Sequence, residues 1–160
     1  MKHMHPAYFS ALACFLIAAG GLSARSAERD IYPPAAQAAA DIAEAIKSAA
    51  ANHKRVILDF GGNWCTDCHV LDSYFHDSAN NALLDANYIL VHVNVERLDA
   101  NLDIADRYRI PLKKGVPAIA VLNGRGKLLY SQRTGEFEAM RNMQSGAVTE
   151  FLLRWKRPAS

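Results

Sequence analysis

Cysteine is scarce in this sequence, which holds only three in 160 residues. Cys14 lies in an apolar stretch near the N-terminus, so the rest of the chain keeps only Cys65 and Cys68, separated by two residues. A disulfide between cysteines this close closes too small a loop to stabilise the folded state usefully. The pair is therefore predicted to carry chemistry rather than to hold the fold together.

A clustered excess of one charge is absent too. The chain has 18 basic and 16 acidic residues, and residues 1–27 contain Lys2 and Arg25 but no acid. The remainder is balanced, and its charges are scattered without a long run of one sign. Because a nucleic-acid surface needs a clustered basic excess, the sequence predicts no nucleic-acid partner.

The first 27 residues differ from the rest. Lys2 precedes an uncharged apolar stretch, residues 7–22, which is followed by small residues. This pattern predicts an export signal at residues 1–27. The alternative is an uncleaved membrane anchor, since the stretch is just shorter than a usual membrane span. Either interpretation predicts an exported protein, with residues 28–34 as a linker and residues 35–157 as one domain.

Hydrophobic patterning predicts an α/β fold. Strands joined through helices favour parallel pairing, and a terminal hairpin around Asn123-Gly124 adds an antiparallel edge. The expected structure is a mixed sheet, with parallel core strands and an antiparallel terminal hairpin, covered by helices on both faces. The predicted helices are 35–53, 65–77, 79–86, 99–107 and 148–155, and the predicted strands are 56–60, 88–95, 117–122 and 127–132.

The segment VILDFGGNWCTDCHVLD (residues 56–72) carries the functional argument. A buried strand ends, a short glycine-containing loop follows, and Cys65 opens a helix. The amide groups and the positive dipole end of a helix N-terminus stabilise a thiolate. Cys68 lies one turn later, within reach of Cys65. The spacing predicts a redox couple with an exposed attacking sulfur at Cys65 and a buried resolving sulfur at Cys68.

Other interpretations of the same residues remain open. With His69, the pair matches the C-x-x-C-H pattern of c-type haem attachment, although the buried strand and Trp64 directly before it argue against that pattern. A zinc site needs four ligands, and only unpatterned histidines are left to complete one. A non-redox module that binds peptides in a groove is the third alternative, but it has no need of both sulfurs. We therefore expect no metal and no cofactor.

Four motifs stand in a characteristic order along the chain. They are Asp59 six residues before the first cysteine, Trp64-Cys65-Thr66-Asp67-Cys68, Val116-Pro117 at the start of a strand, and Gly135 after the last strand. These motifs resemble those of the thioredoxin superfamily. The resemblance extends from about residue 35 to 155. Within that superfamily the chain is most similar to periplasmic thioredoxin-like proteins related to the C-terminal domain of the membrane reductase DsbD.

The resemblance implies a role for each motif. Asp59 is expected to take the proton of Cys68 as that sulfur attacks a mixed disulfide, unless it is only a satisfied buried carboxyl. Pro117 is expected to be cis and to leave its neighbour's backbone free to pair with substrate. Trp64, Val116 and Gly135 are expected to line a shallow apolar groove. His92 stands where thioredoxins often carry a lysine near the buried acid, and either tunes Asp59 or simply faces a helix.

The residues between the cysteines indicate the direction of electron flow. The carboxylate of Asp67 lies close to Cys65 and disfavours its thiolate, so Thr66-Asp67 favours a reductant. We expect a potential of roughly −200 to −270 mV. The resemblance then implies a DsbD-like membrane protein as electron donor, disulfide-bearing exported proteins as substrates, and the periplasm as the location.

Overall fold

The computed structural model describes residues 30–158, so the predicted export signal at residues 1–27 lies outside the described residues. Within the described part, no helix is long and apolar enough to cross a membrane. The helices are α1 (Ala38–Ala51), α2 (Thr66–Phe75), α3 (Ser78–Asn87), α4 (Leu102–Arg107) and α5 (Ser145–Trp155), and the strands are β1 (Arg55–Gly61), β2 (Tyr88–Asn94), β3 (Ala118–Leu122) and β4 (Leu128–Ser131). Short 3-10 turns occur at Ala35–Gln37, Leu112–Lys114 and Met140–Asn142.

The four strands form one mixed sheet in the order β2-β1-β3-β4. The mixed α/β architecture is confirmed, and β3 and β4 form the predicted antiparallel hairpin. Only β1 and β2 pair in parallel, however, because β3 runs antiparallel to β1. The reason is the connection after β2. The six residues of α4 span about 9 Å, too little to return the chain along a strand of about 23 Å. Phe60, near the end of β1, therefore pairs with Ala118 at the start of β3.

Helices cover both faces of this sheet, as predicted. The apolar residues of α1 and α4 pack with Leu58 and Phe60 on one face. Those of α2, α3 and α5 pack with Ile57 and Ile119 on the other. Because successive strand residues point to opposite faces, a strand covered on both sides has the apolar run seen at residues 56–60 of β1, which only Asp59 interrupts. This double covering fixes the end of β1, from which the cysteine loop begins.

Residues 31–33 pack against the domain, although they were predicted to lie in a linker. Tyr32 is only 2% exposed. Asn63, in the loop before the cysteines, accepts hydrogen bonds at Oδ1 from the backbone N–H groups of Ile31 and Tyr32, both at 2.9 Å. The side-chain amide of Asn63 donates to the Tyr32 carbonyl, also at 2.9 Å. The folded unit therefore begins before the predicted boundary at residue 35.

Candidate active site

Cys65 and Cys68 are joined in a disulfide at the start of α2, with their Cα atoms 5.2 Å apart. Cys65 is the N-cap residue of that helix, and its sulfur accepts a hydrogen bond from the Cys68 N–H at 3.2 Å. Cys65 is 5% exposed and Cys68 has no exposed surface. The sulfur nearer to solvent is therefore the one that sits at the positive end of the helix, where a thiolate is stabilised.

The loop before β3 faces this disulfide. The Val116–Pro117 peptide bond is cis, as the resemblance implies. The carbonyl oxygen of Val116 lies 3.7 Å from Cys65 Sγ. The fold thus brings two separate predicted motifs, 51 residues apart in the chain, into contact at one sulfur.

Trp64, one of the predicted groove residues, is 42% exposed directly beside the cysteines. Its indole N–H donates to the carbonyl of Glu96, and the guanidinium of Arg97 lies 5.3 Å from the ring centroid. These contacts come from the loop after β2. They hold the ring at the surface rather than in the core.

Gly135, the other end of the predicted groove, adopts a left-handed conformation with φ of 78°. Its Cα faces the carboxylate of Glu138, and the Cβ of that glutamate lies 3.1 Å from where a Cβ on Gly115 would stand. Glu138 therefore connects Gly135 to the loop that carries Val116.

Asp59 is fully buried in β1. Its Oδ2 accepts two hydrogen bonds, from the hydroxyl of Tyr32 at 2.7 Å and from His92 Nδ1 at 2.9 Å. Its Oδ1 is buried and accepts none. The carboxyl group is thus held in place through one oxygen, while the other has no hydrogen-bond partner among the described residues.

His92 lies between two acids. Its Nδ1 contacts Asp59, and its Nε2 lies 3.4 Å from Oδ1 of Asp72 on α2. Burial lowers the pKa of His92, but the hydrogen bonds and charges of the two carboxylates outweigh burial and raise it from 6.5 to about 9. His92 is therefore a cation at neutral pH, in the position where the resemblance leads one to expect a lysine.

This pairing predicts a pH-dependent stability. Because the pKa of His92 is higher in the folded than in the unfolded protein, protonation of His92 stabilises the folded state. This stabilisation is fully present below pH 6.5 and is lost as the pH rises through about 9. We expect the free energy of unfolding of the disulfide form to fall by at most about 3 kcal/mol across that range. Urea unfolding of wild type and His92→Gln at each pH checks this. The difference between the two proteins must shrink as the pH rises, and parallel profiles would contradict the assignment.

Sequence reasoning missed two members of this network, Tyr32 and Asp72. Tyr32 precedes a pair of prolines and belongs to no periodic pattern, so nothing in the sequence marks it. The sequence does indicate Asp72, because this residue follows Cys68 by four positions and so lies on the same face of α2.

Asp67 has a partner that the sequence did not reveal. Its Oδ1 accepts the backbone N–H of Arg141 at 2.8 Å, and its Oδ2 accepts from Arg141 Nε at 3.1 Å. The charge of Asp67 is therefore balanced by a guanidinium, and its expected effect on a Cys65 thiolate is weaker than that of a lone carboxylate. Thr66 is exposed.

The surroundings of the cysteines do not suit haem attachment or zinc. A thioether bond to haem needs an accessible sulfur, and Cys68 is completely buried. His69 Nε2 lies 2.9 Å from the carbonyl oxygen of Asn63, within hydrogen-bonding distance. Among residues 30–158, no group of three or more histidine, cysteine or acidic side chains is arranged to hold a metal ion.

The model of a thioredoxin-like family matches residues 36–124, more than half of the chain. The protein belongs to the thioredoxin-like family. Its fold and its cysteine pair class it with the thiol–disulfide oxidoreductases of that family. The predicted resemblance to the thioredoxin superfamily is thereby confirmed.

Individual relatives agree with this assignment. The chain is 32% identical over 123 residues to the thiol:disulfide interchange protein DsbD of Pseudomonas fluorescens strain Pf-5, a match that covers 72% of this chain but only 18% of that protein. It is also 32% identical to a disulphide isomerase from Xylella fastidiosa Temecula1 of known crystal structure, with a TM-score of 0.75 over 79% of this chain and 96% of that one. A thioredoxin from Thermus thermophilus, at 19% identity, shares the fold over 70% of this chain and 81% of its own, with a TM-score of 0.52. The resemblance to DsbD is confirmed, with the chain spanning less than a fifth of that protein.

Proposed function

We propose that this thioredoxin-like protein is an exported disulfide reductase that passes two electrons from Cys65 and Cys68 to disulfides of other exported proteins. The observation that carries the proposal is the placement of the two sulfurs. Cys65 lies at the helix N-terminus with a small exposed surface, while Cys68 is buried and bonded to it. Cys65 is therefore placed to attack a substrate disulfide, and Cys68 is placed to resolve the mixed disulfide that results.

The reaction follows from that asymmetry in two exchanges. In the reduced protein, the Cys65 thiolate attacks a substrate disulfide, so that a mixed disulfide forms and one substrate thiolate leaves. Cys68 then attacks the sulfur of Cys65, gives up its proton to Asp59, and expels the second substrate thiolate. The dithiol is oxidised to the internal disulfide and the substrate disulfide is reduced to two thiols.

Substrate recognition is assigned to the loop before β3. Pro117 has no N–H, and the carbonyl of Val116 already faces Cys65. An extended substrate segment would pair with the backbone of Val116 while its sulfur is held at Cys65. Trp64, Val116 and Gly135 are proposed to line the groove around it, and Thr66 and Asp67 to tune the potential.

The reducing direction needs a supply of electrons outside the cytosol. We infer that residues 1–27 export the domain to the periplasm, or anchor it there through residues 7–22, and that a DsbD-like membrane protein recharges the cysteine pair. The similarity to DsbD supports this route. Asp67 disfavours a Cys65 thiolate, although its contact with Arg141 weakens this effect, so we place the potential near the thioredoxin end of the known range.

The redox equilibrium of the purified protein in glutathione buffers, read by thiol alkylation, tests this function. We expect one two-electron transition with a midpoint of roughly −200 to −270 mV. A midpoint above about −150 mV would make the protein an oxidant and overturn the proposed direction. If no transition occurs, the exchange mechanism itself is wrong.

A further inference from the structure

Tyr32 and Cys68 meet across Gly61, the last residue of β1. A Cβ at Gly61 would stand 2.6 Å from Tyr32 Cζ, 2.7 Å from Cys68 Sγ and closer still to the tyrosine hydroxyl. The hydroxyl and the sulfur therefore both lie within 2.7 Å of one point at Gly61, a residue with no side chain to separate them. The same hydroxyl donates to Asp59 Oδ2 at 2.7 Å. One phenol hydroxyl thus bonds the buried acid and lies near the resolving sulfur.

We propose that the hydroxyl of Tyr32 relays the proton of Cys68 to Asp59 when Cys68 resolves a mixed disulfide. The inference rests on the proposed function and adds a residue to it. The Cys68 thiol gives its proton to the phenol oxygen while the phenol gives its own proton to Asp59. The freed sulfur forms the bond to Cys65, and the substrate sulfur leaves with the electron pair of the broken bond.

The surroundings of Tyr32 suit such a relay. Burial and the negative charge of Asp59 raise the pKa of Tyr32 well above 10, so the side chain remains a phenol and passes a proton on rather than losing one. Asn63 fixes the backbone of Tyr32 through its side-chain amide. The ring also makes an edge contact with His92, with 5.0 Å between the centroids. The ring is therefore held in place, with its hydroxyl bonded to Asp59.

The relay has a route to solvent on its far side. His92 contacts Asp59 and also lines a surface pocket of about 370 Å³ together with Ile31, Asp72 and His76. A proton left on Asp59 is thus one side chain away from water. The acid can be reset before the next turnover without opening the buried side of Cys68.

Tyr32→Phe tests the relay because it removes the hydroxyl and keeps the buried ring. The reduced protein is mixed with an aromatic disulfide whose leaving thiolate absorbs light. The first release reports attack by Cys65, and the second reports resolution by Cys68. We expect an unchanged first release and a second release slowed about a hundredfold.

The pH profile separates a relay from a structural role. Without the hydroxyl, solvent must take the Cys68 proton, so the rate of the second release in Tyr32→Phe should rise about tenfold per pH unit. The wild-type rate should rise less steeply. The groups that face the site, which are Asp59, His92, Asp72 and His76, are retained in the variant. A slowed release with the wild-type pH profile would contradict the relay.

Tyr88→Phe is the matched control. The hydroxyl of Tyr88 is also buried and donates to the carbonyl of Leu152 at 2.6 Å, away from the cysteines. Both releases should be unchanged in this variant, and equal slowing in both tyrosine variants would overturn the proposal.

Asp59→Asn separates failure of the relay from failure of the function, because it removes the final acceptor and should also slow the second release. If Asp59→Asn is slow while Tyr32→Phe matches wild type, the relay is wrong and the proposed function stands. If the wild type shows no second release, the proposed function itself is wrong.

Discussion

Replacing Cys65 by serine is expected to lower the rate of disulfide reduction by about a thousandfold or more, to the uncatalysed level. The buried Cys68 cannot substitute for it, because a bulky disulfide has no access to a sulfur with no exposed surface. Cys68→Ser should behave differently. It retains the attacking sulfur, so it should consume one equivalent of disulfide and then stop as a mixed disulfide at Cys65.

The two serine variants serve as each other's control, since each removes the internal disulfide. Glutathione disulfide is a suitable probe, with free thiol release as the measurement. In cells, Cys68→Ser should also retain partners covalently, and a DsbD-like membrane protein should be among them. Equal residual activity in the two variants would contradict the division of roles, and recovery of no DsbD-like species would count against the proposed electron supply.

Gly61→Ala is expected to destabilise the folded protein by about 1–3 kcal/mol. The added methyl would stand 2.6 Å from Tyr32 Cζ and 2.7 Å from Cys68 Sγ, well inside ordinary contact distances. Neither neighbour can retreat easily. Tyr32 is held by Asn63 and Asp59, and Cys68 is fixed in α2 by its disulfide.

Gly146→Ala provides the matched control for the same chemical change. Gly146 lies in α5, and a Cβ there would have no atom within 4 Å beyond its chain neighbours and the backbone of its own helix. Alanine favours a helix over glycine by up to about 1 kcal/mol, so this variant should be stabilised. Urea unfolding of both variants measures the contrast, and a Gly61→Ala protein as stable as wild type would show that the site is less tightly packed than described.

The parts of the fold that could be predicted from the sequence are those encoded locally. β1 is apolar at residues 56–60 except for Asp59 because both of its faces are covered, and the cysteine helix begins after a short loop. The direction of β3 was predicted wrongly, because the pattern shows a helix before it but not that α4 is too short to carry the chain back.

The candidate site likewise contains residues that the sequence could indicate and residues that it could not. The cysteines, Asp59 and Pro117 stand in motifs with fixed spacing, and the structure brings Cys65 and the Val116–Pro117 loop together. Tyr32 and Arg141 lie 27 and 74 residues from the acids they contact, with no spacing that could indicate either partner. Such contacts depend on the tertiary fold, which is why the network around Asp59 and the neutralisation of Asp67 emerge only from the structure.

The most direct test of the account is to identify the cysteine that first carries the substrate. Reduced wild-type protein is mixed with one equivalent of glutathione disulfide, quenched with acid at millisecond intervals, and mapped by peptide mass spectrometry. The account predicts a transient glutathione adduct on Cys65 that decays as the Cys65–Cys68 disulfide forms. An adduct on Cys68, or one on Cys65 that persists without forming the internal disulfide, would contradict it.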